Sequence, residues 1–414
     1  MIRVDEALVR TAVTALVDTA SPTGRERPLA DRVVGLLREH GLDGRLQDID
    51  AEQANAYAVL RGSGDGPALL LYAPIDTLTT GEPEHDLPWI GPVLRPDHRP
   101  RAVVDGDLVT GLGAGNPKGH AAAVLAAGVA LAAGPPLPGT VIVAFGAGGM
   151  PGNALPGSAR ANTGQGAGCS FLLERGVHAD HAVIAKPGTG VLHEEVGLAW
   201  FDVVTHGTHT YAGSRHLLPY RNAIAAAAAV VDALERWFPR YTARHTDGQV
   251  APQGIVAAID GGWRRPAAVT PAACRIRVDL RLSPRTTPSA AHRELAAAVR
   301  AVDPDATVEM VLSIPGTRTD PGAPVVEAAV DAWQAEHGRA HTWPVGLSGA
   351  TDANILRARG IPTARVGMAK VPGTTDFALG MNTVSLTETA RLARLLVRVA
   401  AALCAEQERM WLRS

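Results

Sequence analysis

The sequence predicts an α/β protein in which helices flank a mixed, mainly parallel sheet, with a smaller α+β domain inserted into the chain. Two observations lead to this prediction. Over residues 1–194, and again over 313–414, apolar strand-like runs alternate with helical patterns, as in parallel sheets covered on both faces. Over residues 195–312, polar residues are interspersed along the strand-like runs, as in an antiparallel sheet with one exposed face. These ranges define the two predicted domains.

The N-terminal part begins with two helical patterns. The first covers residues 5–18. The second follows a turn in which Ser21 or Thr23 is a candidate cap, and it ends at Gly41. Two strands, a strand pair with a tight turn, an apolar helix ended by glycine and two further buried strands come next. In chain order these segments are NAYAVLRG, ALLLYAPID, AVVDGDLVTGLG, KGHAAAVLAAGVALAAG, GTVIVAFGAGG and DHAVIAKPG.

The rest of the chain divides into the inserted segment and a return to the first pattern. In the insert we predict three strands and two helices, in the order LAWFDVVTHG, NAIAAAAAVVDALERWF, GIVAAIDGG, ACRIRVDLRL and PSAAHRELAAAVRAV. From about residue 325 the alternation of helix and strand returns. It consists of PVVEAAVDAWQAEHG, GIPTARVGM and a terminal helix from about residue 387.

Composition and charge limit the class of protein. A chain of 414 residues with 46% hydrophobic residues is long enough for two buried cores. The formal net charge of −2 argues against nucleic acid or an anionic membrane as the main partner. Cys169, Cys274 and Cys404 give no disulfide framework and fit a reducing cytosol. The N-terminal pattern lacks the apolar core of a signal peptide, and no stretch is long enough to span a bilayer, so we expect a cytoplasmic protein.

Six segments carry a recognisable order of motifs. They are SPTGRE (21–26), GLGAGNPKGHAAAVLAA (111–127), THGTHTYAGSR followed by NAI (205–224), VDLRL (278–282), SGATDANIL (348–356) and GIPTARVG (360–367). Their order and spacing resemble the co-catalytic zinc peptidase family of aminoacylase, succinyl-diaminopimelate desuccinylase, acetylornithine deacetylase and carboxypeptidase G. The resemblance covers nearly the whole chain, and it implies that the inserted domain is a lid and dimerisation domain that forms a homodimer.

The resemblance also implies two zinc ions, held by two histidines, a bridging aspartate and two further carboxylates, with a glutamate as general base. The ligand positions fall here on Pro74, Asn116, Gly149, Lys186 and a residue near Ala378, and the base falls on Gly148. Only Asp76 matches, at the position of the group that orients the first histidine. Because these residue types are poor zinc ligands, we predict that no zinc and no other cofactor is bound.

The candidate catalytic residues are Lys186, Asp76, His209 and Tyr211. Asp76 follows an apolar strand, which is a common position for chemistry in α/β proteins. A lysine beside an acid in a desolvated cleft can act as a base, a nucleophile or an anion clamp. Alternatively, Lys186 only replaces the charge of the lost metal and pairs with Asp76. His209 and Tyr211 lie where the family places a catalytic histidine that stabilises an oxyanion, and an exposed polar loop is the alternative.

The candidate substrate-binding residues are Asn116, Lys118, Asn222, Arg281, Gly349 and Asp352. For three of them a structural role is equally plausible: Asn222 and Asp352 can cap helices, and Arg281 can pair with Asp279. Gly349 lies in a glycine- and hydroxyl-rich segment whose backbone amides are candidates to hold a carboxylate.

Three functions are compatible with these residues. The first is a metal-independent enzyme that acts on a small amino-acid-derived amide or carboxylate. For it, acyl transfer, condensation, cyclisation or isomerisation fits better than hydrolysis, since no residue is evident that activates water. The second is a non-catalytic homologue that binds a small molecule or serves as a scaffold. The third is a zinc-dependent amidohydrolase or peptidase whose ligands lie elsewhere in the sequence.

Overall fold

A six-stranded and a four-stranded sheet organise the protein in a computed structural model, which describes residues 2–158, 160–374 and 376–405. The chain divides into two compact units. Unit 1 comprises Met1–His193, Thr319–Pro344 and Thr351–Ser414, and unit 2 comprises Glu194–Arg318 and Val345–Ala350.

The helices of the described residues are numbered in chain order. They are α1 (Glu6–Val17), α2 (Arg27–Glu39), α3 (Pro83–Asp86), α4 (Gly119–Ala132), α5 (Ala167–Glu174), α6 (Ala223–His245), α7 (Pro288–Arg300), α8 (Pro324–His337), α9 (Ala353–Ala358), α10 (Phe377–Met381) and α11 (Leu386–Cys404). Within the described part of the chain, no helix combines the length and the apolar character that a membrane span requires.

The strands of the described residues are numbered in the same way. They are β1 (Arg45–Asp48), β2 (Ala54–Leu60), β3 (Gly66–Pro74), β4 (Val103–Asp105), β5 (Leu108–Thr110), β6 (Gly139–Gly146), β7 (His181–Ala185), β8 (Glu194–Glu195), β9 (Gly197–His206), β10 (Gly254–Gly261), β11 (Ala273–Leu282), β12 (Thr307–Ile314), β13 (Thr317–Arg318), β14 (Thr363–Val366) and β15 (Thr383–Ser385).

The sheet of unit 1 has the strand order β1-β2-β6-β3-β7-β14. Strands β6, β3, β7 and β14 pair in parallel, whereas β1 and β2 add an antiparallel edge. This arrangement confirms the predicted mixed, mainly parallel sheet. Because β3 and β7 are neighbouring parallel strands, their carboxyl ends lie side by side, and the residues that follow them meet at one edge of the sheet.

Helix α4 packs against the sheet with almost its whole surface buried. Its sequence, GHAAAVLAAGVALA, has small residues on every side, so the helix fits between α11, α1 and the strands β3 and β6. Gly128 marks the closest approach, since a Cβ atom there would lie 2.8 Å from Val143 Cγ1. The small residues of α4, with Gly128 among them, therefore allow the helix to pack closely against β6.

Unit 2 has an antiparallel sheet in the order β10-β11-β9-β12, with an apolar core that includes side chains of α6 and α7. It also contains residues 345–350, which the sequence pattern predicts for the larger domain. Leu347 explains this difference, because its backbone pairs with Gln249 and Ala251 of unit 2 through hydrogen bonds of 3.0 and 2.8 Å. Residues 313–318 likewise lie in unit 2.

Two mid-helix glycines provide a test of this packing. Gly35 in α2 has no atom closer than 3.9 Å to an added Cβ, so Gly35→Ala should raise stability by about 0.5–1 kcal/mol through reduced backbone entropy. Gly128→Ala should instead lower stability by roughly 1 kcal/mol, because the new methyl group overlaps Val143. The midpoints of urea unfolding measure both effects. An equal gain from both substitutions would contradict the close packing of α4.

Candidate active site

The Asp76 carboxylate lies two residues beyond the end of β3 and is fully buried. Its Oδ1 atom accepts a hydrogen bond from the Gly149 N–H at 2.7 Å. Its Oδ2 atom accepts from the Met150 N–H at 2.9 Å and from the Thr23 hydroxyl at 2.7 Å. Asp76 therefore ties the end of β3 to the loop after β6 and to the turn before α2, and both of its oxygens are engaged by protein groups.

The loop Gly148–Met150 is packed so closely that side chains at its glycines would collide with the protein. Gly148 has φ +62, and a Cβ there would lie 2.0 Å from the Thr163 carbonyl oxygen. A Cβ on Gly149 would lie 2.3 Å from the Cβ of Pro74. The resemblance places a zinc ligand or the base at Pro74, Gly148 and Gly149. In this structure Gly149 packs against Pro74, and Gly148 packs against the Thr163 carbonyl.

Lys186 follows β7 and reaches the same edge of the sheet. Its side chain is buried, and its ammonium donates a hydrogen bond to Asn116 Oδ1 at 3.1 Å. The Met150 sulfur lies 3.8 Å from the ammonium. Burial raises the pKa of the Asp76 carboxyl above its ordinary value, whereas the hydrogen bond from Thr23 and the positive charge of Lys186 oppose that rise. The structure thus brings together Lys186, Asn116 and Asp76, three of the residues selected from the sequence.

Asn116 lies in an irregular turn, Ala114–Lys118, immediately before α4. Its backbone is extended, with φ −156 and ψ 116, and this turns the side chain out of the helical path. Besides accepting from Lys186, the carboxamide donates to the Met381 sulfur at 3.3 Å. Two thioethers therefore border the polar pair. Because sulfur is a weak acceptor, they compete little with a substrate oxygen for the Lys186 and Asn116 donors.

Lys118 occupies a different place from Lys186. Its side chain is fully buried, and its ammonium donates to the Thr19 carbonyl oxygen at 2.7 Å, next to the end of α1. Burial lowers the pKa of Lys118 to about 7. The structure therefore gives Lys118 a hydrogen-bonding role between α1 and α4, while Lys186 is the lysine that interacts with Asp76.

Helix α4 also contributes His120, which the sequence analysis did not select. The His120 Nε2 atom accepts from the Met368 N–H at 3.3 Å, so the ring is neutral in this geometry. Burial, followed by the positive charges of Lys186 and Arg365, lowers the pKa of His120 to about 3. A neutral imidazole adds no positive charge beside Lys186.

Glu26 is a second buried carboxyl that the sequence analysis missed, although it is the last residue of the quoted SPTGRE motif. Its Oε1 atom accepts from the N–H groups of Gly24 at 3.0 Å and Gly148 at 2.9 Å, and its Oε2 atom accepts from Gln53 Nε2 at 3.0 Å. Burial and the nearby Asp76 charge raise the pKa of Glu26 to about 8. Glu26 and Asp76 together bind three consecutive backbone N–H groups of the Gly148–Met150 loop.

Asp352 forms a second polar pair near this edge of the sheet. Tyr72, in β3, donates its hydroxyl hydrogen to Asp352 Oδ2 at 2.6 Å. Burial, and then the Asp352 charge, raise the pKa of Tyr72 well above its usual value, so the hydroxyl stays protonated. The Asp352 side chain does not cap α9. Instead, the Thr351 hydroxyl accepts from the Ala353 N–H at 3.2 Å. Gly349 is exposed, and its proposed role in holding a carboxylate stays a prediction.

The remaining candidates lie in unit 2. The His209 ring nitrogen Nδ1 is 3.1 Å from the Thr270 carbonyl oxygen, and Tyr211 is 59% exposed. Asn222 caps α6 by accepting from the Ile224 N–H at 2.8 Å, and Arg281 pairs with Asp279 at 2.8 Å. The structural alternatives for Asn222 and Arg281 are therefore realised. Their roles toward a substrate, and those of His209 and Tyr211, stay predictions.

The residues at this edge of the sheet do not suit a pair of zinc ions. Asn116 and Lys186 are bonded to each other, the oxygens of Asp76 are occupied, and Ala378 lies in α10 with no donor side chain. Among the described residues, no three histidine, cysteine, aspartate or glutamate side chains form a group that could hold a metal ion. The donors present therefore differ in kind and number from the set that the resemblance implies.

Comparison with known proteins yields no matching family model. Solved structures similar to this chain include a tripeptidase from Staphylococcus aureus, with 16% identity over 97% of this chain and 100% of that one, at a TM-score of 0.69. Human carnosine dipeptidase 1 has 14% identity over 96% of each chain, at a TM-score of 0.67. An M20 family metallo-carboxypeptidase from Sulfolobus solfataricus has 13% identity over 96% and 99%, at a TM-score of 0.67. These similarities confirm the predicted peptidase fold over 96–97% of the chain.

Glu26 makes stability depend on pH in a defined direction. Its pKa is about 8 in the folded protein, above the ordinary value of 4.5, so the folded state holds the proton more tightly than the unfolded chain does. The stabilisation is complete below about pH 4.5 and is lost as the pH rises toward about 8. Glu26→Gln should flatten this part of the curve of melting temperature against pH. Glu39→Gln, at a 55%-exposed side chain of α2, is the matched control and should leave the curve unchanged. Parallel curves for wild type and Glu26→Gln would contradict the assignment.

Proposed function

We propose that this chain is a metal-independent enzyme on the zinc-peptidase fold that acts on a small amino-acid-derived amide or carboxylate. The observation that carries the proposal is the buried Lys186 ammonium, bonded to the Asn116 carboxamide and acting electrostatically on Asp76 at the carboxyl end of the parallel sheet. By the resemblance, Lys186 and Asn116 stand where two zinc ligands would lie. A protein cation thus supplies positive charge at this edge of the sheet.

The identity of Lys186 supports a chemical role. Only three of the 39 lysine and arginine residues are lysines, namely Lys118, Lys186 and Lys370, and the first two are buried. In a chain that otherwise uses arginine for its cations, a buried lysine indicates a need for a compact ammonium. Lysine, unlike arginine, presents a point charge with three donors and can lose its proton when it is desolvated.

In this proposal, Lys186 and Asn116 stabilise negative charge on the substrate, and Asp76 positions Lys186. Lys186 and Asn116 can donate to a carbonyl or carboxylate oxygen of a substrate, which stabilises negative charge there during reaction. Asp76 holds the loop and compensates the ammonium, so its role is to position Lys186. This modifies the catalytic role expected for Asp76 from the sequence. We further propose that His209 and Tyr211 act as oxyanion donors, a role favoured by the exposed Tyr211 side chain.

The hydrogen bonds of Asp76 also bear on the type of reaction. A general base needs a lone pair directed at the proton that it removes. The oxygens of Asp76 accept from Gly149, Met150 and Thr23, so this carboxylate is not positioned to take a proton from water. This favours acyl transfer, condensation, cyclisation or isomerisation over hydrolysis.

Both oxygens of Asp76 already accept hydrogen bonds, and this also favours a second candidate function. In this alternative the protein binds a small amide or carboxylate without converting it. Lys186 and Asn116 would then serve as the anchor for the ligand. A homodimer formed through the inserted domain stays a prediction in either case. It is favoured by the exposed Ile255 and Ile259 of β10, which is an edge strand of its sheet in the described residues.

The metal content of the purified protein tests the first part of the proposal. Protein purified without chelator, and protein expressed with added zinc, should both contain zinc well below one equivalent per chain, because the site lacks the necessary donors. Elemental analysis by mass spectrometry measures this content. Two tightly bound zinc ions per chain would overturn metal independence and favour the displaced-ligand hydrolase.

Lys186 variants test the second part. A panel of N-acyl amino acids, amino-acid amides and dipeptides is incubated with the protein, with and without chelator, and products are detected by mass spectrometry. For a converted substrate, Lys186→Met should lower kcat/KM by about 100-fold or more, and Lys186→Arg should not restore it, because the bulkier guanidinium does not match the Asn116 geometry. Lys370→Met, at an exposed lysine, is the matched control and should retain full activity.

Two outcomes separate the alternatives. If Lys186→Met lowers the melting temperature but keeps turnover, Lys186 only replaces a lost charge and the catalytic assignment is wrong. If panel members raise the melting temperature of wild type but not of Lys186→Met, and none is converted, the protein is a binding protein.

A further inference from the structure

A cavity lies in unit 1 next to the SPTGRE motif, whose Gly24 is one of its lining residues. Its volume is about 280 Å³, and its lining residues come from the turn before α2, the segment before β2 and the loop after β6. They are Gly24, Asp50, Ala51, Glu52, Gly157, Ser158, Arg160 and Thr163. This cavity is not among the features that the resemblance implies, and none of its lining side chains contacts Lys186 or Asn116 in the bonds described above.

Two hydroxyl groups at this cavity lack hydrogen-bond partners among the described residues. Thr163 is only 2% exposed, yet its Oγ1 atom is unpartnered, and the Ser158 Oγ atom is also buried and unpartnered. The backbone of Gly24, with φ +98, approaches so closely that an added Cβ would lie 3.2 Å from Thr163 Oγ1. Buried hydroxyls are normally satisfied, so two unsatisfied hydroxyls at one cavity indicate a bound polar molecule.

Arg160, Asp50 and Glu52 line the cavity, and Arg25, which lies outside the lining, completes two ion pairs with them. Arg160 Nε lies 3.3 Å from Asp50 Oδ2, and Arg25 Nε lies 3.4 Å from Glu52 Oε1. Both pairs are partly exposed and long, so each partner retains capacity for a further hydrogen bond. A ligand with a net charge would leave one charge uncompensated, whereas a ligand with one positive and one negative group would not.

We propose that this cavity is a binding site for a small zwitterion, namely a free α-amino acid. The ammonium of the ligand would lie toward Asp50 and Glu52, and its carboxylate toward Arg160, Thr163 and Ser158. The volume suits an amino acid with a short side chain. This inference does not rest on the proposed reaction at Lys186.

The cavity is linked to the loop that borders Lys186. Arg160 donates to Gln53 Oε1, and Gln53 Nε2 donates both to Glu26 Oε2 at 3.0 Å and to the Thr163 carbonyl oxygen at 2.9 Å. Glu26 in turn binds the Gly148 N–H. A ligand that engages Arg160 competes with Gln53 and thereby acts on the Gly148–Met150 loop.

Isothermal titration calorimetry on the full chain tests the proposal with glycine, L-alanine and L-serine as probes. The N-acetyl derivatives, which lack the ammonium, and the amides, which lack the carboxylate, serve as matched ligands. At least one free amino acid should bind, and both of its derivatives should bind about tenfold more weakly or not at all. Thr163→Val should weaken binding by about fivefold, because valine has a methyl group in place of the hydroxyl. Thr163→Ser keeps the hydroxyl and should bind as the wild type does.

Binding to the Lys186→Met variant shows whether the amino acid lies in this cavity or at Lys186. Retained binding in Lys186→Met, together with weakened binding in Arg160→Met, supports the second site, provided that circular dichroism shows both variants to be folded. Lost binding in Lys186→Met with unchanged binding in Thr163→Val places the amino acid at Lys186 and overturns the proposal. Absence of binding by all three amino acids up to about 10 mM also overturns it.

Discussion

The structure of the candidate site depends on the buried carboxylate of Asp76. It accepts three hydrogen bonds, from the backbone of Gly149 and Met150 and from the hydroxyl of Thr23. These bonds join three segments that are distant in sequence: the end of β3, the loop after β6 and the turn before α2. A carboxylate without these bonds would be costly to bury, and the loop without the carboxylate would leave backbone donors unsatisfied. These bonds hold the Gly148–Met150 loop, whose Met150 sulfur lies 3.8 Å from the Lys186 ammonium.

The second constraint is the balance of charge. Asp76 and Glu26 are both buried, and they accept from consecutive backbone amides of one loop, Glu26 from Gly148 and Asp76 from Gly149 and Met150. Burial, and then the charge of Asp76, raise the pKa of Glu26 to about 8. Burial also raises the pKa of Asp76, whereas the hydrogen bond from Thr23 and the charge of Lys186 favour its ionised form. One negative charge and one positive charge then remain. The neutral His120 preserves this balance, because a charged imidazole would add a second cation next to Lys186.

The sequence was sufficient for the fold and for part of the site. Alternation of apolar strands with helical patterns predicted the mixed sheet, and the order of motifs selected Asp76, Asn116 and Lys186, which the structure brings together. Glu26 carried a signal in the SPTGRE motif that was not used. Pairs such as Tyr72 with Asp352 carried none, since they are 280 residues apart and only tertiary packing joins them. The same limit applies to Lys118, whose direction depends on the position of α1 and not on local pattern.

The packing around Pro74 supports a rebuilt site over a zinc site that has merely lost some ligands. A side chain at Gly149 would collide with Pro74, and one at Gly148 would collide with the carbonyl of Thr163. Restoring a glutamate at either position therefore requires the loop itself to move. Lys186 must leave as well, since its ammonium would repel a divalent cation. A single substitution toward the zinc-binding pattern therefore introduces a side chain into a region that is already well packed. Several positions must change together before zinc ligands fit, and this interdependence is the physical basis for proposing metal-independent chemistry on this fold.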